Sequence, residues 1–91
     1  MLFMYIHTHT VDRCLAGKLE EGKKLRSEML ERFKKENVKV VSYYSSPNEH
    51  TGFYIFDVSD NAALQRALYP LTTWGTARLI PVIANQDYAS T

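Results

Sequence analysis

The chain has 91 residues, of which 45% are hydrophobic and 23% are charged, and its formal net charge is +1. This length suits one folded domain and excludes two, and the composition excludes a disordered chain. The near balance of 11 basic and 10 acidic residues gives no electrostatic basis for binding nucleic acid or an anionic membrane. The single cysteine, Cys14, rules out an internal disulfide and is typical of a reducing compartment.

The chain also shows no membrane or export signal. No apolar run approaches the roughly 18 residues that a membrane span needs. The apolar start, Met1 to Ile6, has no basic segment before it and no small-residue cleavage site after it, so it is not expected to be a signal peptide. We therefore expect a cytoplasmic protein.

The first half of the chain predicts a strand, a helix and a second strand. Leu2 to Thr10 is rich in aromatic and β-branched residues, which is typical of a strand. After a connection over residues 11–17, apolar residues recur at helical spacing from about Lys18 to Glu36. Asn37 is suited to end that helix, and Val38 to Ser45 again has the composition of a strand.

The second half predicts a hairpin, a helix and a last strand. Residues 46–49 have turn chemistry and lead to a third strand, Phe53 to Val58. Residues 59–61 offer N-caps for a second helix, which Pro70 ends or distorts. The fourth strand runs from Ala77 to Ile83.

The order β-α-β-β-α-β indicates an α+β, ferredoxin-like fold, in which two helices cover one face of a four-stranded antiparallel sheet. Pro81 fits a fourth strand at the sheet edge, because proline cannot donate to an internal ladder. Residues 1–84 form this single domain, and residues 85–91 form a polar tail.

The strands are apolar on both faces, which indicates that both faces of the sheet are covered. In the third strand, Tyr54, Phe56 and Val58 alternate with Phe53 and Ile55. Two helices cover one face only, so the other face would be a large exposed apolar patch. We expect a second copy to cover it, giving a dimeric α/β barrel with a cavity between the two sheets.

The candidate site residues are the three histidines and the cysteine. His7 and His9 are two residues apart on a strand and share a face with Tyr5. Since the alternate residues of this strand are aliphatic and suit packing under the helices, we expect the histidines to face the inter-sheet cavity. Cys14 follows in the adjoining loop, and antiparallel pairing favours placing His50, just before the third strand, near the end of the first.

Three interpretations of this cluster stay open. The first is a metal site with His7, His9 and His50, and with Cys14 or Glu49 as a fourth ligand, which are donors suited to zinc, nickel or copper. The second is acid–base catalysis with His7 or His9 as the base, because histidine exchanges protons near neutral pH. The third is a non-catalytic role in which the histidines are hydrogen-bonded polar residues at a strand end or interface.

Four further residues are candidates for binding a small molecule. Trp74 lies in a Thr-Thr-Trp-Gly loop that could cover the cavity, and Arg78 on the last strand could bind an anionic substrate. Tyr5 and Tyr54 present aromatic rings that either stack on a ligand or belong to the core or interface. The sequence has no glycine-rich phosphate loop, nucleophile elbow or CxxC motif.

The sequence resembles the muconolactone isomerase family over most of its length. The resemblance lies in Met1-Leu2-Phe3, Tyr54-Ile55-Phe56-Asp57-Val58, Asn61-Ala62, Leu64, Pro70-Leu71 and Pro81-Val82. It implies a ferredoxin-like, oligomeric, cofactor-free protein that shifts a proton within a small lactone, and it extends to related small domains of unknown function and to small metal-binding relatives. The loop at residues 72–76 and the segment His7-Thr8-His9-Thr10 depart from the family pattern, so its catalytic residues do not carry over.

These observations support three functional hypotheses. The first is a small-molecule-binding protein that acts as a cofactor-free isomerase or lyase on a small carbonyl or lactone compound. The second is a metal-binding protein, and the third is a non-catalytic binding or interaction module. Fold resemblance alone does not decide among them.

Overall fold

The computed structural model describes residues 1–15 and 17–85. Its elements are β1 (Leu2–Thr8), α1 (Leu19–Lys35), β2 (Lys39–Ser46), β3 (Thr51–Asp57), α2 (Asn61–Thr72) and β4 (Thr76–Val82), with 3-10 turns at Val11–Arg13 and Pro47–Glu49. The predicted order β-α-β-β-α-β and the ferredoxin-like fold class are confirmed. Apart from residue 85, the predicted polar tail lies outside the described residues.

The sheet has the order β2-β3-β1-β4 and is antiparallel throughout. β4 lies at an edge, as the proline within it predicted. In the register of the central strand, Thr8 pairs with Thr51 of β3 and with Thr76 of β4. The loop that follows β1 therefore meets the loops that precede β3 and β4 at one end of the sheet.

Short-range chemistry sets the ends of the helices. α1 is followed by Asn37 at φ 55°, the left-handed conformation that often ends a helix. α2 begins at Asp60, whose side-chain oxygen accepts a hydrogen bond from the Ala63 backbone N–H at 2.7 Å. Pro70 lies inside α2 and cannot donate to the Arg66 carbonyl, which instead accepts a hydrogen bond from Arg32 on α1 at 2.8 Å.

The core lies between the helices and one face of the sheet. Its buried apolar residues are Phe3, Tyr5, Met29, Phe33, Val38, Phe56, Val58, Ala63, Leu64, Ala67, Leu68 and Leu71. Phe3, Tyr5 and His7 of β1 thus face the helices, so the predicted orientation of this strand was wrong. The residues of β1 that point to one face of the sheet and those that point to the other are both largely apolar, so the alternation pattern could not show which set faces the helices. The set with the larger rings fills the space under the helices.

The opposite sheet face carries no helix in the described part of the chain. The apolar residues that point to it are only partly covered: Leu2, Met4, Ile6, Phe53, Ile55, Ile80 and Val82. We call this surface the open face.

Among the described residues, no helix is both long enough and apolar enough to cross a membrane.

Candidate metal centre

Three separate segments meet at the end of β1. His9 comes directly after the strand, which ends at Thr8 and not at Thr10 as predicted. Its backbone N–H donates to the His50 carbonyl at 3.0 Å, which adds one more link between the ends of β1 and β3. Cys14 follows the 3-10 turn after His9 and is half-buried. The predicted approach of His50 to the histidine end of β1 is therefore confirmed.

The side chains of His9, Cys14 and His50 converge. One ring nitrogen from each histidine and the cysteine sulfur all lie within 4.8 Å of one another. The two imidazole rings are 5.2 Å apart between centroids and nearly perpendicular. His9 Nε2 and His50 Nδ1 are buried, and neither has a hydrogen-bond partner among the described residues. Buried polar atoms are normally paired, so two unpaired ring nitrogens beside a thiol need an explanation.

His50 adopts a backbone conformation that is uncommon for a residue other than glycine. It ends the Pro47–Glu49 turn at φ 51° and ψ 41°, in the left-handed region. That conformation is rarely populated by residues with a side chain and costs roughly 1–3 kcal/mol when the surrounding structure imposes it. It allows His50 to bond His9 through its carbonyl while its ring lies near Cys14.

The loop between α2 and β4 holds the cysteine segment against the sheet. Trp74 Nε1 donates to the Arg13 carbonyl at 2.9 Å, and the Arg13 guanidinium lies 5.5 Å from the centre of the indole ring. A Cβ at Gly75 would collide with the Thr8 carbonyl oxygen and come within 3.0 Å of the His9 Cα. The Trp74–Gly75 segment therefore packs directly on the backbone that carries His9 and Cys14. Sequence reasoning singled out Trp74 but could not place this contact.

Burial and neighbouring charge favour the neutral form of His9. Burial lowers the pKa of His9, and positive charge on His50 and on His7 would lower it further. The neutral imidazole is the form that binds metals. This environment therefore keeps His9 in its metal-binding form.

A protein-family model described as Domain of unknown function (DUF3303) matches residues 1–91. The chain belongs to this family. No curated protein matches the chain. The predicted relation to small domains of unknown function is therefore confirmed, whereas the relation to the muconolactone isomerases stays a prediction.

His7 of this DUF3303 chain lies outside the three-residue cluster. The residue is 6% exposed, and its Nε2–H donates at 2.8 Å to the Leu71 carbonyl near the end of α2. Burial lowers the pKa of His7, and the hydrogen bond to Leu71 partly offsets that effect. His7 thus faces the helices instead of the inter-sheet cavity and has the environment of a core residue. Glu49, the alternative fourth ligand, is exposed and lies outside the cluster as well.

The structure does not bring the four predicted small-molecule ligands together. Tyr5 and Tyr54 lie on the helix-covered face, where their ring centroids are 5.9 Å apart. Arg78 pairs with Ile6 and so belongs to the open face. Trp74 lies with Arg13 at the end of the sheet. A single cavity lined by all four residues is therefore excluded in one copy of the chain.

Proposed function

We propose that this DUF3303 chain binds a transition-metal ion through His9, Cys14 and His50. The observation that carries the proposal is the convergence of two imidazoles and one thiol within 4.8 Å, with two buried ring nitrogens that have no partner among the described residues. A thiolate with two imidazoles suits zinc or copper, whereas magnesium and calcium prefer oxygen ligands. Of the three metals that the sequence suggested, zinc and copper match these donors best.

The distances between the ligand atoms of the cluster are compatible with such an ion after small movements of the side chains. In a tetrahedral site, zinc–nitrogen bonds of about 2.0–2.1 Å and zinc–sulfur bonds of about 2.3 Å place two ligand atoms roughly 3.3–3.6 Å apart. The ligand atoms of the cluster lie within 4.8 Å of one another, so side-chain rotations that bring them closer by up to roughly 1.5 Å would complete the site. Three protein ligands leave one tetrahedral position for water or a small molecule, which is the pattern of metal sites that perform chemistry.

The cofactor-free isomerase or lyase hypothesis has less support. It relied on His7 or His9 as a base facing the inter-sheet cavity, but the His7 Nε2–H is held by Leu71 and the ring is buried under α2. His9 has an unpaired nitrogen, but that nitrogen lies beside a second imidazole and a thiol. A base needs access to a substrate proton, whereas this arrangement is better suited to sharing an ion.

Zinc titration of reduced, untagged protein tests the proposal. We expect one equivalent of zinc to bind, and we expect a loss of affinity of at least about 100-fold in Cys14→Ser, His9→Ala and His50→Asn, because each removes one of three ligands. Asparagine suits position 50 because it tolerates the left-handed conformation. Competition with copper(I) then decides which metal is preferred.

His7→Gln is the matched control, since glutamine can still donate to the Leu71 carbonyl. We expect zinc affinity in His7→Gln to stay within about threefold of wild type, because the cluster is untouched. Substoichiometric zinc in the wild type, or equal losses in all four variants, would contradict the proposal.

We also propose that a second copy of the chain covers the open face. The helices cover only the other face, and seven apolar side chains of the sheet stay partly exposed. Soluble proteins rarely leave so large a contiguous apolar patch in water. A two-fold pairing buries the same patch of each copy, so one surface satisfies both partners.

Sedimentation equilibrium of Ile55→Lys tests this assembly, because Ile55 lies on the open face of β3. We expect wild-type protein to sediment as a dimer or larger species and Ile55→Lys as a monomer. Leu30→Lys, on the exposed surface of α1, is the matched control and should sediment like the wild type. A monomeric wild type would overturn the proposal.

A further inference from the structure

A cavity lies between the C-terminal end of α1 and α2. Its volume is about 280 Å³, just below the roughly 300–1,000 Å³ of sites for drug-sized ligands, so it is suited to a smaller one. It is lined by Arg32, Lys35 and Glu36 at the end of α1 and by Arg66 and Tyr69 of α2. None of these residues belongs to the metal centre or to the sheet. The cavity is therefore distinct from both sites proposed above.

The side chains that line the cavity carry more positive than negative charge. Three of them are cations and one is a carboxylate, so their net charge is +2. Only one of the cations is neutralised: the Nε and Nη2 of Arg66 both donate to Glu36 Oε1, at 3.1 and 3.0 Å. Arg32 and Lys35 form no ion pair among the described residues. Two unpaired cations from one helix therefore share this cavity.

The packing of the two helices holds Arg32 in place. The residue is half-buried, and its Nη2 donates to the Arg66 backbone carbonyl at 2.8 Å. That carbonyl is available because Pro70, four residues later in α2, has no N–H to donate to it. A side chain that is already ordered loses less conformational entropy when it binds a ligand. The cavity thus offers one positioned guanidinium beside the exposed ammonium group of Lys35.

We infer that this cavity binds the phosphate group of a small soluble molecule through Arg32 and Lys35. A phosphate group carries a charge of about −1.5 to −2 at neutral pH, which matches the net charge of the lining side chains better than a single carboxylate does. A guanidinium binds phosphate oxygens through paired N–H groups, and a lysine adds a point charge. The ligand need not displace Glu36 from Arg66, because the two cations that bind it are unpaired.

Titration with inorganic phosphate and phenyl phosphate tests the inference. The protein is used without added metal, so that phosphate cannot bind to an ion at the metal centre, and ionic strength is held constant. We expect saturable shifts of the Lys35 and Tyr69 amide resonances in NMR spectra with both probes. Acetate, which carries one charge, should bind at least about fivefold more weakly. Equal affinity for the two phosphates would indicate free phosphate as the ligand, whereas tighter binding of phenyl phosphate would indicate a phosphate ester.

Two variants with matched controls separate this site from general attraction by positive charge. Lys35→Gln should lower the phosphate affinity about fivefold, because it removes one of the two unpaired cations. Lys34→Gln makes the same change at the neighbouring exposed lysine, which does not line the cavity, and should change the affinity by less than about twofold. Glu36→Gln should raise the affinity about threefold, because it removes the one carboxylate of the cavity. Glu31→Gln, at an exposed position of α1, is its control and should bind phosphate like the wild type.

Thermal unfolding checks that each variant keeps its fold, so that a changed affinity reports on the removed charge. The inference is overturned if neither phosphate probe gives saturable shifts, if Lys34→Gln and Lys35→Gln lose the same affinity, or if Glu36→Gln binds phosphate no more tightly than the wild type. Acetate binding as tightly as phosphate would also contradict it. The outcome is independent of zinc binding, since the two sites share no residue.

Discussion

His7 and His9 are two residues apart, and the environments of their ring nitrogens differ. The Nε2–H of His7 donates to the Leu71 carbonyl, which lies near the C-terminal end of α2 and also accepts a hydrogen bond from the Trp74 backbone N–H at 3.0 Å. The Nε2 of His9 is equally hidden from water but has no partner among the described residues, and it lies with Cys14 and His50. The difference comes from the end of the strand: His7 is under the helix, and His9 is just beyond it.

This difference separates a structural histidine from a candidate ligand. Burial alone does not mark a functional residue, because a buried polar group with a good partner is part of the fold. A buried nitrogen without a partner costs free energy, and its retention beside other metal-binding side chains is the stronger sign of a site. The predictions below test this distinction, beginning with the largest expected effect.

Replacing each histidine in the presence of a chelator should separate their structural roles. We expect His7→Ala to lower the free energy of unfolding by about 3 kcal/mol, because it removes a buried ring and the hydrogen bond to Leu71. His9→Ala should change that free energy by less than about 1 kcal/mol, since the His9 Nε2 has no partner among the described residues and the residue is less buried than His7. Urea denaturation measures both values, and equal losses would contradict the distinction.

Tyr5 points to the same face of β1 as His7, and its burial predicts how stability depends on pH in alkaline solution. Burial raises the pKa of its phenol from the ordinary value of 10.0 to about 12. Below pH 10 both folded and unfolded states keep the phenol proton; from pH 10 to 12 the unfolded state loses it first, so stability falls as pH rises. We expect a loss of about 2–3 kcal/mol over that interval.

Urea denaturation of Tyr5→Phe from pH 9 to 12 checks this pH dependence. The variant should lack that part of the alkaline loss, because it has no ionising group at the position. Tyr69→Phe, at an exposed position of α2, should keep the full loss, because it leaves the buried Tyr5 phenol in place. Parallel curves for wild type and Tyr5→Phe would show that the burial of the Tyr5 phenol is not responsible.

Gly75→Ala should disturb the backbone at His9, just after the end of β1. The added methyl group would collide with the Thr8 carbonyl, and relieving the collision moves the backbone that carries His9. We expect a loss of roughly 1–3 kcal/mol in stability, together with weaker zinc binding. Gly17→Ala is the matched control, because nothing lies within 4 Å of a Cβ there. Equal stability and zinc affinity in the two variants would contradict the proposed packing.

Trp74→Phe should have the smallest effect, since it removes the indole N–H that bonds the Arg13 carbonyl but keeps an aromatic ring beside the Arg13 guanidinium. We expect zinc affinity to fall about fivefold, as one hydrogen bond that positions the Cys14 loop is lost. Zinc competition measures the change. Unaltered affinity would show that the loop holds Cys14 without this contact.

Much of the fold could be predicted from the sequence, because it depends on local signals. Asp60 caps α2, Asn37 follows α1 in a left-handed conformation, and Pro81 lies on the edge strand, all as their chemistry suggested. Which face of β1 lies under the helices could not be predicted, since the side chains on both faces are largely apolar. The orientation depends on which set of side chains fills the space under the two helices, and the sequence of one strand does not contain that information.

The candidate site was predicted in part. Antiparallel pairing correctly brought His50 to the end of β1, and Cys14 was recognised by its donor chemistry. His7 was assigned to the same cluster because a strand period was extended through Thr10, whereas the strand ends at Thr8. The hydrogen bond to Leu71 depends on a contact 64 positions away along the chain, which sequence periodicity does not contain.

The most direct test of the metal centre is anomalous diffraction at the zinc absorption edge from crystals of zinc-loaded protein. The proposal predicts one strong peak per chain, bonded to the Cys14 sulfur and to one ring nitrogen each of His9 and His50, with His7 still donating to Leu71. A peak at any other residues, or no ordered peak in crystals of protein that binds zinc in solution, would contradict it.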